Sequence, residues 1–276
     1  MIRLIKKLHR TIKRSRHFKT GEARLAEVRP AVEAAVGGPA RFRQGKGGGH
    51  DFVYFVEANG TCAGVLRVTN PAYIPEGTPL AARLNGPRLR LTPTERVARE
   101  WRFCEVGWPH ALTPKPLWRS ETGDAMFNSH LDGSQLIDFV QQGRLSLWDA
   151  IDRVAERANT FHSVIGEAHM DVSLKNTHAD KDLNVLTFVD FEIAPNPALS
   201  IAETRLFDFL NLVEMAYKGM TPADRRAAPA RLERLLASTI PGDLKGLPVT
   251  RLAPKLTRIL RDPAFRAVLA RHVIVT

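Results

Sequence analysis

Cysteine is scarce in this chain: only Cys62 and Cys104 occur in 276 residues. Each lies beside apolar neighbours, which argues against a disulfide or a thiolate metal site and for two reduced core residues. No apolar run approaches the roughly 18 residues needed to cross a bilayer. The N-terminus is basic but lacks the continuous apolar stretch of a secretion signal, so the expected location is cytoplasmic. Residues 1–19 contain no Asp or Glu at all. No internal repeat is present.

What is present is an ordinary globular mixture, 44% hydrophobic and 25% charged, long enough to bury a sizeable core as one domain or two lobes. The net charge is +11, and eight cations between Arg3 and Lys19 supply +8 of it, leaving +3 for the rest. The basic character therefore belongs to an arm. Met1, Leu4, Ile5, Leu8 and Ile12 recur at helical spacing, with cations on the other face. A basic amphipathic helix suits an anionic membrane surface. A helix packed on its own domain is the plainer reading. Nucleic acid would also attract the charge, but the apolar face disfavours it.

The stretch from His169 to Glu192 carries the chemistry. His169-Met170-Asp171-Val172-Ser173-Leu174-Lys175-Asn176 has the form H-x-D-x-x-x-x-N. A polar turn from Lys175 to Asn184 leads to Val185–Val189, which has the length and β-branching of a buried strand. Asp190-Phe191-Glu192 follows, fourteen residues after Asn176. Phosphoryl transfer from a nucleotide needs one carboxylate at the attacking hydroxyl, and a second carboxylate with an amide oxygen to hold Mg2+. Asp171 fits the first role; Asn176 and Asp190 fit the other two.

These two motifs resemble the catalytic loop and metal motif of the protein-kinase-like superfamily. Asp-Phe-Glu, with no long segment before Pro195-Asn196-Pro197 and no A-P-E, is more similar to the bacterial aminoglycoside phosphotransferases and lipopolysaccharide core kinases than to protein kinases. The resemblance implies ATP and Mg2+, an α+β two-lobed fold, and an active site in the cleft between lobes. After the basic arm over 1–19, it implies a small antiparallel nucleotide lobe over 20–127 and a helical catalytic lobe over 128–276. The acceptor would be a sugar or lipid-linked glycan, with the enzyme peripheral on the inner membrane. A soluble small-molecule kinase and a pseudokinase binding module remain alternatives.

The remaining site residues follow from the same resemblance. Gly45, Lys46, Gly47 and Gly48 would form the phosphate-covering loop, though His50 stands where its last glycine should be. Arg67 takes the place of the usual strand lysine, with a planar fork and a different reach. Glu100, on a helix expected from Glu95 to Val106 and capped by Thr94, would pair with it. Backbone groups of 128–131 would meet the adenine. A short helix is expected over 21–36, and residues 69–93 read as an irregular insertion, by default a solvated loop, with Arg83, Arg88 and Arg90 as candidates for an acidic substrate. His162 and His169 are expected to be scaffold, and Asp208 to bond backbone N–H groups of the 169–176 loop.

Overall fold

The computed structural model describes the backbone of residues 2–45 and 51–275, and the side chains of 19–45 and 51–275. In chain order come α1 (Ile2–Ala35), β1 (Arg41–Gln44), β2 (Asp51–Ala58), β3 (Thr61–Thr69), α2 (Leu80–Arg83), β4 (Leu84–Asn85), β5 (Arg88–Arg90), α3 (Pro93–Gly107), β6 (Pro116–Arg119) and β7 (Ala125–Ser129). Then follow β8 (Ser134–Gln135), α4 (Leu136–Gln141), α5 (Leu147–Ile165), β9 (Thr177–Ala179), β10 (Leu186–Phe188), β11 (Ile193–Pro195), α6 (Ile201–Tyr217), α7 (Pro222–Arg234), α8 (Thr257–Arg261) and α9 (Pro263–His272). The fold is α+β, and among the described residues the strand pairings are antiparallel apart from one isolated parallel bridge, Pro248 to Ile274. No helix among the described residues is long and apolar enough to cross a membrane.

The chain forms two compact units. The first comprises Met1–Glu76, Thr92–Trp101 and Pro116–His130. Its five-stranded sheet runs β1-β2-β3-β7-β6. Strand alternation sends Phe52, Tyr54, Val56, Leu66, Val68 and Phe127 to one face, where Leu25, Val28 and Val32 of α1 cover them. The expected separate helix over 21–36 is instead continuous with the arm. Gly21 explains this: a Cβ there would meet the Phe52 ring and the Tyr54 hydroxyl, so glycine lets the helix approach β2 closely. Close packing outweighs the roughly 1 kcal/mol that glycine costs a helix interior. Gly64 plays a similar part within the sheet, where a Cβ would collide with the Asn128 carbonyl.

The second unit comprises Gly77–Leu91, Arg102–Lys115 and Leu131–Thr276. It differs from the expected 128–276 by including Gly77–Leu91, from the 69–93 stretch, and Arg102–Lys115. That stretch is not irregular throughout, because β4 and β5 form a three-stranded sheet with β11. Strands this short carry no readable periodicity. Phe103, Phe161, Phe188 and Phe191 make the aromatic core of the unit, with Phe161 stacked on Phe191 at 5.9 Å. Gly133, at φ 138°, lies so close to the Ala179 carbonyl that no Cβ fits. Residues after α6 are helical in short pieces, including a π-helical turn at Leu235–Thr239.

The helix expected from Glu95 begins earlier, as α3, and Thr94 does not cap it. Thr92 donates its backbone N–H to the Glu95 carboxylate at 2.8 Å and accepts from Arg96 N–H, while Thr94 Oγ1 bonds Glu76. Thr92-Pro93-Thr94-Glu95 is a T-x-x-E pattern, a better start signal than Thr94 alone.

Candidate active site

In the second unit, α5 stops at Gly166, a left-handed cap at φ 81°. The chain then enters the 169–176 loop, which is suspended from Asp208 of α6. Fully buried Asp208 accepts the backbone N–H groups of His169 and Met170, each at 2.7 Å, and a bond from His162 Nε2 at 2.9 Å. Met170 is held at φ 70°, a conformation of order 1–3 kcal/mol above the common ones for a residue with a side chain. The charge-assisted bonds to Asp208 hold it there.

His169 is scaffold, as expected. Its Nε2 lies 3.1 Å from the Val189 carbonyl, which can only accept, so Nε2 carries the proton. Nδ1 then accepts the Asp171 N–H at 3.3 Å. Complete burial lowers the imidazole pKa and keeps the ring neutral, which this pattern requires.

Both carboxylate oxygens of Asp171 are engaged. Oδ1 accepts from Arg88 at 2.8 Å and Oδ2 from Asn176 Nδ2 at 2.8 Å. Asn176 Nδ2 also donates to the Asp171 carbonyl at 3.0 Å, so the amide nitrogen turns inward. Burial pushes the Asp171 pKa up, against the pull of the Arg88 guanidinium and with the help of the Asp190 charge. A carboxyl raised in this way is a stronger proton acceptor.

Asp190 is fixed from both sides. Val189 donates to the Asn176 carbonyl at 3.0 Å, and Phe191 is buried 4.7 Å from the His169 ring. Asp190 itself takes φ 72°. The donors that would hold Mg2+ are hard oxygens, the Asp190 carboxylate and the Asn176 amide oxygen left by the inward nitrogen. They fit a metal that takes one or two protein oxygens beside phosphate and water. The repulsion between Asp171 and Asp190 also favours a cation beside them.

Arg88 was the residue whose role was hardest to foresee. It sits on β5, opposite Asn85 of β4 and Pro195 of β11. Besides Asp171 it donates to Asn211 Oδ1 at 2.8 Å, and its guanidinium lies 5.3 Å over the Phe207 ring. Asn211 in turn donates to the Val172 carbonyl at 3.0 Å, tying the arginine to the loop it serves. The sequence signal is Arg88-Leu89-Arg90, two cations flanking a buried leucine at strand spacing.

The first unit carries the other predicted set. Arg67 faces away from Leu66 and Val68, on the side of the sheet opposite α1. Its Nη1 donates to Glu100 at 2.8 Å, the expected pair. Its Nη2 lies 3.4 Å from Asp51, which also meets Arg96 at 2.7 Å. Asp51 and Arg96 were not foreseen as members of this network. Asn128 Nδ2 reaches the second Glu100 oxygen at 3.4 Å. Gly45 does not present its N–H to a ligand, because that group donates to Val53 at 2.8 Å and extends the β1–β2 pairing. Lys46, Gly47 and Gly48 lie outside the described residues. Cys62 and Cys104 are both free thiols, and only Cys104 is fully buried.

Compared with known proteins, the chain matches no family model and no curated sequence.

Proposed function

We propose that this protein is an ATP-dependent phosphotransferase of protein-kinase-like fold that acts on a hydroxyl group, in a sugar of lipopolysaccharide or another lipid-linked glycan. The observation that carries the reading is Asp171, gripped by Arg88 and Asn176 on a loop hung from buried Asp208. The acceptor oxygen would attack the γ-phosphorus, its proton passing to Asp171, and the bond to ADP would break. Asn176 and Asp190 would hold Mg2+, which neutralises charge on the transferring phosphates. Taken by itself, Arg67, held in place by Glu100, is a cation suited to the α- and β-phosphates. The chain re-enters a sheet at Ile193, three residues after Asp190, which leaves no length for a phosphorylation-switched segment. The lipid-linked acceptor is supported by the basic arm alone.

A nucleotide-binding module without transfer is the second reading. Its support is that both terminal nitrogens of Arg67 already face carboxylates. Transfer of labelled phosphate from ATP to a bacterial glycolipid fraction, with and without Mg2+, separates the two. Mg-dependent nucleotide binding with no transfer to any hydroxyl acceptor overturns the kinase reading in favour of the module.

A further inference from the structure

We propose that the acceptor carries an oxyanion, a phosphate or carboxylate, bound by Arg88, Arg90 and Lys255 beside Asp171; this rests on the phosphotransferase reading and names its acceptor class. Arg88 and Arg90 share one face of β5, two residues apart, with Leu89 buried between them. Lys255 lies on the short turn before α8, where its Cγ and the Pro254 ring would meet a Cβ on Gly86 of the β4–β5 turn. Of these three cations only Arg88 has an acidic partner, Asp171. Arg90 and Lys255 form no ion pair among the described residues.

Gathering cations without counter-charge is unfavourable, since like charges repel most where water is partly excluded. Lys255 registers that repulsion: burial first, then Arg88 and Arg90, pull its pKa down, against the opposing pull of Asp171. An oxyanion here would relieve that repulsion and orient the acceptor by charge-assisted bonds. The same field would repel a polycationic acceptor such as an aminoglycoside, which separates the two small-molecule kinase classes considered above.

The test uses the full chain without nucleotide, so it does not depend on catalysis. Glucose 6-phosphate, glucuronate and glucose are titrated by calorimetry against the native protein, Arg90→Gln and Lys255→Gln. The expected result is binding of one or both anionic sugars but not glucose, weakened about tenfold or more by either substitution, the scale of one charge-assisted contact. Phosphate preferred over carboxylate, or the reverse, identifies the oxyanion. Arg90 is exposed, so its variant folds even if Lys255→Gln does not. The inference is overturned if anionic sugars bind no better than glucose, or if both variants bind like the native chain. Failure of the kinase reading shows separately, as absence of transfer from ATP.

Discussion

Arg88 and Asp171, 83 residues apart in the chain, meet at 2.8 Å. Burial raises the Asp171 pKa, and Arg88 is the strongest influence in the opposite direction. Removing the guanidinium should therefore raise this pKa further. In Arg88→Gln the carboxyl stays protonated to a higher pH, and the acid limb of the rate profile moves upward. The limb can be followed in transfer assays, and the carboxyl carbon of Asp171 can be followed directly by NMR. A titration that does not move, or moves down, contradicts the assignment.

Asp171→Asn should keep Mg-dependent nucleotide binding and lose transfer by about 10²–10⁴-fold, the usual contribution of a general base. Asp190→Asn should instead weaken the Mg-dependent part of nucleotide binding. Calorimetry with ATP, run with and without Mg2+, separates the two phenotypes. Full transfer activity in Asp171→Asn removes it as the base.

Arg67 also has a structural duty, because it lies between Asp51 and Glu100, both buried. Arg67→Ala should destabilise the first unit by about 3–5 kcal/mol, the cost of leaving a buried ion pair half made. Arg67→Lys keeps the charge but not the fork, and should lie between the two. Urea denaturation measures this without any ligand. A loss of nucleotide affinity at unchanged stability would show instead that the network needs no arginine.

His169 makes stability depend on pH. Its folded pKa is lowered by burial, so the unfolded chain, with an ordinary imidazole near 6.5, binds the proton more readily. Its contribution is therefore complete above pH 6.5 and lost as pH falls toward the folded value. Denaturation midpoints measured from pH 8 to pH 5 should fall, and fall less steeply in His169→Gln. Equal slopes for the two proteins would mean that the ring protonates without penalty.

The arm has its own test. Leu25, Val28 and Val32, further along the same helix α1, hold that helix on the sheet, so removing residues 1–19 should leave the unit folded. Each cation near an anionic leaflet is worth about 1 kcal/mol and is screened by salt. Sedimentation with anionic vesicles should show salt-sensitive binding by the full chain, a weaker salt-resistant part removed by Leu8→Asp, and none by a chain beginning at Thr20. Equal binding by the full and shortened chains leaves the lipid-linked acceptor without support.

Local order was legible where the determinants lie close in sequence. The strand before Asp190 is β10, trimmed from Val185–Val189 to Leu186–Phe188, and Asn176 meets Asp171 five residues away. The Arg67–Glu100 pair came from a resemblance, not from spacing. The roles of Arg88 and Asp51 were not legible because their partners are set by tertiary pairing of strands two to nine residues long, and that of Lys255 because it meets the β4–β5 turn only in the folded unit. Helix α1 reads as two segments in the sequence because the cation-only composition ends at Lys19. Its reason for continuing, contact with Phe52 and Tyr54, lies about thirty residues further on.

The contact at Gly133 bears on how this protein's lineage will look. The Ala179 carbonyl stands where any side chain would begin, so every replacement displaces backbone. Selection should purge changes at Gly133, and at Gly64 for the same reason, as strictly as changes at Asp171. Descendants and cousins of this sequence will then share glycines that never touch a substrate. A survey ranking positions by invariance will return those glycines beside the candidate site residues, and the chemistry of each side chain must sort them.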